Sequence, residues 1–200
     1  MSIMPVYHLA FEPVIAHTNT VKAVFWDRDG VLTEIIDRGE WGLAPPWTLD
    51  EFKFKPDAKQ SIDLTRGNSF MNFVVTNQSD VELGKLSEHT LNIFNRMLKQ
   101  WLHIDDVRCA TSKSSPYYKP GNKMIEDLIV IHNVDRSKSW LVGDRWKDIV
   151  AGNRSGLRTV WIDHKEGEHV PDAYIHFKPD YVVYSTFEAA ELIVGLENVQ

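Results

Sequence analysis

Short apolar runs that stop abruptly at polar clusters limit what this chain can fold into. VKAVFW (21–26) ends at DRDG, FMNFVV (70–75) at TNQS, and SWLVG (139–143) at DRWKD. Each run is too short for an ordinary helix. Each is rich in β-branched or aromatic residues and apolar at consecutive positions, the pattern of a strand buried on both faces. Further strands are expected near Val107–Thr111, over LRTVWI (157–162) and over YVVYS (181–185). Helical segments alternate with them. Leu91, Phe94 and Leu98 repeat at helical spacing over 86–102, with Ser87 available as a cap. Others are expected over Asp57–Arg66, over KPGNKMIEDLIVIH with Pro120 opening the helix, over DIVAGNRSG closed by Gly156, and over FEAAELIVGL. Strands alternating with helices predict right-handed crossovers and an α/β fold with a doubly wound parallel sheet. Such sheets hold ligands beyond the carboxyl ends of their strands, where DRDG, TNQS and DRWKD fall.

The 200 residues, 43% hydrophobic and 25% charged, fit one domain with a continuous core. That domain is expected over 21–200, preceded by an extension over 1–20. A flap over 34–50, rich in glycine and proline and with little regular structure, carries Trp41 and Trp47. The two rings either offer faces to a sugar or base or simply pack the loop down. A net charge of -6 disfavours nucleic acid as a partner, because phosphate backbones are held by clustered Lys and Arg. The single Cys109 allows no internal disulfide, no apolar stretch is long enough for a membrane span, and the N-terminal segment lacks the features of a signal peptide. A cytoplasmic location is the expectation.

The polar clusters carry the candidate chemistry. Asp27 and Asp29 flank one residue beyond a buried strand, and two carboxylates so close either separate in pKa or share a cation. An ordinary strand-end turn would use the same residues. Asp144 and Asp148 form a second acidic pair at the same edge. Hard oxygen ligands of this kind suit Mg²⁺, although acids also match a helix N-terminus. Thr76 and Asn77 offer a hydroxyl and an amide for phosphoryl oxygens, or caps for the next helix. Lys119, placed just before a predicted helix, opposes the helix dipole unless an anion lies between them.

Taken together, VKAVFWDRDGVLTE, FVVTNQS, YKPGNKMI and WLVGDRWKDIVAGNRSGLRTVWI resemble the four ordered motifs of the haloacid dehalogenase (HAD) superfamily. The wording is similar to the branch that contains heptose-bisphosphate phosphatases and histidinol-phosphatase. The resemblance implies a Rossmann-like sheet and a magnesium-dependent phosphatase. It makes Asp27 the nucleophile, Asp29 the general acid and base, and Thr76 and Lys119 the groups that stabilise the phosphoryl group. Asn77 joins Lys119 in binding substrate. Asp27, the Asp29 carbonyl and Asp144 would hold Mg²⁺, with Asp148 supporting its outer shell.

Departures from the branch narrow these expectations. CATSKSSPYYK keeps Cys109 but offers no second thiol or nearby histidine, so no zinc is expected. Tyr118 and Leu83 stand where that branch carries arginines, which weakens a bisphosphate substrate. Asp27 and Thr76 are 49 residues apart and Thr76 and Lys119 are 43 apart, leaving no room for a cap domain. The expected substrate is a small phosphomonoester such as a sugar phosphate. The alternatives are a polynucleotide 3′-phosphatase and a catalytically silent HAD-like binding protein.

Overall fold

The computed structural model describes residues 20–165 and 167–197, so the expected extension over 1–20 falls almost wholly outside the described residues. In chain order the elements are β1 (Lys22–Trp26), the short β2 (Ile36–Asp37) and β3 (Leu43–Ala44), α1 (Ala58–Gly67), β4 (Phe70–Asn77), α2 (Glu88–Trp101) and β5 (Asp106–Ala110). There follow α3 (Lys123–His132), β6 (Trp140–Gly143), α4 (Trp146–Arg154), β7 (Arg158–Ile162), β8 (Tyr181–Val183) and α5 (Thr186–Glu197). Six strands form one sheet in the order β5-β4-β1-β6-β7-β8, every neighbouring pair parallel. The doubly wound architecture read from the alternating pattern is therefore present, with no obvious cap insertion among the described residues.

The consecutive apolar residues of β1 serve two cores. Val24 and Trp26 pack with Ile62 of α1, Phe94 and Leu98 of α2, and Ile193 of α5. Ala23 and Phe25 point the other way, into Met124, Ile125 and Leu128 of α3 and Ala151 of α4. Successive strand side chains alternate between faces, so a strand covered on both sides must be apolar throughout. Ser87 caps α2 as expected, its Oγ accepting from the Thr90 amide at 3.0 Å.

Two local expectations change. Pro120 does not open a helix. The backbone first turns through Tyr118 N to Ser115 O (3.0 Å) and Gly121 N to Tyr118 O (2.9 Å), and the carbonyl of Asn122 starts α3 by accepting from Ile125 and Glu126. The flap is also more regular than its composition suggested: β2 and β3 pair as an antiparallel hairpin around a 3₁₀ turn at Gly39–Trp41. Its far limb is pinned to the body. Arg38 holds Glu51 through two hydrogen bonds of 2.7 and 2.9 Å and lies 3.7 Å over the Trp47 ring, whose indole N–H donates to Asp80 at 2.8 Å. Lys85 also lies over that ring, at 4.9 Å. Of the two alternatives for the flap aromatics, Trp47 therefore takes the packing role; the Trp41 side chain lies outside the described residues.

One polar group ties the sheet to its covering layer. Asn72, fully buried on β4, accepts the Trp26 indole N–H at 2.9 Å and the Thr65 hydroxyl of α1 at 2.7 Å. Asn72→Leu leaves the Trp26 indole N–H buried and unpaired, a loss that costs about 1–3 kcal/mol, while the Thr65 hydroxyl still has the Ile62 carbonyl at 3.1 Å. Chemical denaturation should show an unfolding free energy lower by about 2 kcal/mol; a change below about 0.5 kcal/mol would mean that the indole finds another partner.

Candidate active site

The carboxyl ends of β1, β4 and β6 bring the predicted residues together around one mouth of about 220 Å³, lined in part by Asp27, Asp29, Thr76, Asn77, Lys119 and Asp148. Two glycines make the approach possible. Gly30 turns the chain after β1 at φ +86°, and a Cβ there would stand 2.2 Å from Asp144 Oδ2. A Cβ on Gly143 would stand 2.3 Å from that of Asp148. With no side chain at either position, the two acidic loops can close on each other.

Lys119 lies at the centre and is 3% exposed. Its ammonium donates to Asp27 Oδ1 at 2.7 Å and to the Val75 carbonyl at 2.7 Å, and it pairs with Asp148 Oδ1 at 2.5 Å. Because α3 begins only at Lys123, the cation does not sit directly at a helix N-terminus, and its partners are carboxylates across the sheet edge. Asn77 fixes the lysine backbone with a reciprocal pair, Lys119 N to Asn77 Oδ1 at 2.9 Å and Asn77 Nδ2 to Lys119 O at 3.0 Å. Asp148 sits in the first turn of α4, where its Oδ2 accepts the Arg145 amide at 3.1 Å. It combines the helix-capping and the acidic-cluster readings of its position.

Burial pushes the Asp27 carboxyl up to about 6 against the pull of Lys119, with Asp148 and Asp29 adding to the rise. Asp144 is raised well above the ordinary value by burial and by Asp27 and Asp148. Burial alone would lower Lys119, but Asp148 and Asp27 outweigh it and hold the ammonium above the usual lysine value.

Asp27, Asp144 and Asp148 offer carboxylate oxygens that all lie within 4.8 Å of one another. Asp144 Oδ1 is buried with no hydrogen-bond partner among the described residues. A set of hard oxygens with one acceptor left open fits Mg²⁺, which takes few carboxylates and keeps water in its shell. The Asp29 side chain stands apart from this cluster. Its Oδ1 accepts from Arg28 Nε at 2.9 Å and from the Thr33 hydroxyl at 3.0 Å, and its Oδ2 accepts from Gln78 Nε2 at 2.7 Å. Thr76, 1% exposed, accepts from the same Gln78 nitrogen at 2.8 Å.

Sequence reading missed several neighbours. His164 Nε2 lies 3.0 Å from the Gly30 carbonyl and 3.6 Å from Asp144 Oδ2. Its signal was available, since it follows β7 at the same edge of the sheet. Arg145 and Lys147 line the mouth, as do Tyr118 and the hairpin residues Ile35, Leu43, Ala44 and Pro45. Arg28, in the middle of the first motif, has no exposed surface.

Known proteins share this fold and stretches of this sequence. A family model described as HAD-hydrolase-like matches residues 117–189. The D,D-heptose 1,7-bisphosphate phosphatase of B. bronchiseptica, solved with magnesium and phosphate, superposes with a TM-score of 0.71 at 22% identity, covering 88% of this chain and 99% of that one. This chain has the HAD-superfamily phosphatase fold. Among curated relatives, the D-glycero-D-manno-heptose-1,7-bisphosphate 7-phosphatase of Chlorobaculum tepidum is 25% identical over 85% of this chain and 92% of its own length. The D-glycero-beta-D-manno-heptose-1,7-bisphosphate 7-phosphatase of Rhodopseudomonas palustris is 29% identical over 68% of this chain and 79% of its own. The fold and the all-aspartate cluster of Asp27, Asp144 and Asp148 together support a Mg²⁺-dependent phosphatase activity.

The raised Asp27 and Asp144 values set the pH dependence of metal binding. A carboxyl that holds its proton up to about 6 must lose it to bind a cation, so Mg²⁺ affinity should be nearly flat above that value and fall below it. The fall should approach about tenfold per pH unit for one displaced proton, and more if Asp144 follows. Calorimetric titration with Mg²⁺ from pH 5 to 8 checks this; a dissociation constant that does not change over the range contradicts it.

Proposed function

We propose that this enzyme hydrolyses a small phosphomonoester, a sugar phosphate above all, through an aspartyl-phosphate formed on Asp27. The observation that carries the reading is the Asp27 carboxylate held 2.7 Å from the Lys119 ammonium, at the edge of a cluster with Asp144 and Asp148. Lys119 offsets part of the repulsion between this carboxylate and an incoming phosphate dianion. Asp27, Asp144 and the backbone beside Asp29 would hold Mg²⁺, with Asp148 behind them. When bound, that ion supplies positive charge to the phosphoryl oxygens and to the nucleophile.

In the first step an oxygen of Asp27 bonds to phosphorus, the bond from phosphorus to the ester oxygen breaks, and Asp29 gives that oxygen its proton. Asp29, now a carboxylate, takes a proton from water as the water oxygen attacks phosphorus. Inorganic phosphate leaves and Asp27 is restored. Thr76 and the backbone around it border the phosphoryl group, and Asn77 keeps Lys119 in place.

The sugar-phosphate choice draws on two kinds of support. Relatives at 25–29% identity are named for a sugar bisphosphate. The mouth is small and is lined by Arg145, Lys147 and Tyr118 together with the apolar hairpin edge, polar and apolar surfaces to match one sugar-sized group. The flap cation Arg38 is committed to Glu51 and Trp47. A net charge of -6 offers no long-range attraction to a polyanion, which counts against the polynucleotide 3′-phosphatase alternative. No helix among the described residues is long and apolar enough to cross a membrane. The lone Cys109, a thiol beside Asn95, is in keeping with the proposed cytoplasmic setting.

Asp27→Asn keeps the shape of the side chain and removes the attacking carboxylate. Activity with Mg²⁺ should fall below about 1% of wild type while the unfolding transition is retained; activity above that level removes Asp27 as the nucleophile. A second measurement compares kcat/KM for sugar and polyol phosphates with that for a 3′-phosphorylated oligonucleotide at matched ionic strength. The small esters should be preferred. A preference for the oligonucleotide that weakens steeply with salt would move the assignment to nucleic-acid repair chemistry.

A further inference from the structure

Gln78 has no role in the reading above, yet it is fully buried and touches three residues of the site. Its Nε2 donates to Asp29 Oδ2 at 2.7 Å and to Thr76 Oγ1 at 2.8 Å, and its Oε1 accepts from Arg28 Nη2 at 2.8 Å. The amide has one possible orientation here. A guanidinium only donates, so the Gln78 oxygen must face Arg28 and its nitrogen must face Asp29 and Thr76. Arg28 closes the ring by donating from Nε to Asp29 Oδ1 at 2.9 Å. Its guanidinium lies 5.5 Å from the Phe94 ring centre and 5.8 Å from that of Phe52, inside the apolar core, where a cation persists only if paired.

These bonds leave the two oxygens of Asp29 in different states. Oδ1 is faced by two donors, Arg28 Nε and the Thr33 hydroxyl, the latter 3.0 Å from it and 3.2 Å from the Arg28 carbonyl. Oδ2 accepts once among the described residues, from Gln78, and keeps one lone pair open. We infer that Gln78, oriented by Arg28, is a positioning residue: it aims Asp29 so that the catalytic proton is carried on Oδ2, and it ties that oxygen to the Thr76 side of the phosphoryl pocket. This rests on the proposed role of Asp29 as proton donor and acceptor. An apolar side chain of this size would fill the space just beyond β4, but Arg28, Asp29 and Thr76 would each lose a polar partner, so the glutamine is there for its hydrogen bonds rather than its volume.

The test is the dependence on the leaving group. An alkyl phosphate such as glycerol phosphate departs as a strongly basic alkoxide and needs the proton, whereas p-nitrophenolate leaves without one. The value of kcat/KM reports only the steps through the first phosphoryl transfer, so the two substrates separate proton delivery from everything else. Gln78→Met should lower kcat/KM about 100-fold for glycerol phosphate and less than about fivefold for p-nitrophenyl phosphate. With p-nitrophenyl phosphate, kcat and KM should fall together, and a burst of about one p-nitrophenolate per enzyme should appear, because water attack on the aspartyl-phosphate still needs Asp29. Gln78→Glu, which keeps the shape but turns an acceptor toward Asp29, should show the same selectivity and stands in if the methionine variant does not fold.

Asp29→Asn is the reference. If it slows both substrates equally, Asp29 does not deliver the proton, and the inference falls with that part of the proposed function. If Asp29→Asn is selective while the Gln78 variants slow both substrates equally, or slow neither, Gln78 is only a packing residue and the inference alone is overturned.

Discussion

Lys119 is the cation on which the site depends. Its ammonium is buried between Asp27 and Asp148, with Asp144 close behind, and no other cation is in contact with the Asp27 carboxylate among the described residues. Three ionised carboxylates around one ammonium leave an excess of two negative charges, the charge that one divalent cation cancels. Without such a cation, burial and mutual repulsion raise Asp27 and Asp144. The acids are brought into range by backbone rather than by side chains: Gly30 and Gly143 admit them, and the Asn77 amide clamps the Lys119 peptide on both sides. Removing the lysine would leave two buried carboxylates facing each other, a loss of a kind that usually costs about 3–5 kcal/mol.

The two acids of the DRDG turn are separated by environment. Asp27 points into the acidic cluster, where charge is in excess, and Asp29 points to Arg28, Thr33 and Gln78, where it meets only donors. In an extended strand positions 27 and 29 would share a face, so it is the turn after β1, with Gly30 at φ +86°, that separates them. Arg28, the residue between, follows neither and turns into the core as the partner of Asp29. The site thus holds two separate charge networks, one centred on Lys119 and one on Arg28, which meet at Thr76 and its neighbours at the end of β4.

Around these networks the mouth is lined by the β2–β3 hairpin edge, Tyr118 and the cations Arg145 and Lys147. Arg145 is itself held from behind by Glu168 at 3.6 Å, and Glu168 also accepts the Trp146 amide at 2.7 Å, so the loop after β7 braces the start of α4. The hairpin is braced in turn by Trp47, Asp80, Arg38 and Glu51. Both walls of the mouth are therefore built on fixed contacts.

The sequence by itself determined the parallel sheet, the order of its helices and the identity of the acids, because strands buried on both faces must be continuous apolar runs and polar clusters can only follow where such runs reach an edge. VKAVFW, FMNFVV and SWLVG were legible for that reason, and so were Asp27, Asp29, Thr76, Lys119, Asp144 and Asp148 as neighbours. What it could not express was which way each side chain turns. Pro120 looked like a helix opener and Trp47 could offer its face to a ligand, because local propensity carries no information about partners distant in the chain. Only tertiary structure decided that Arg28 would meet Gln78, that Lys119 would face carboxylates, and that His164, Arg145 and Lys147 would stand at the mouth. Those choices depend on distances between loops that the sheet brings together, and a buried charge selects its partner by distance and desolvation rather than by position in the sequence.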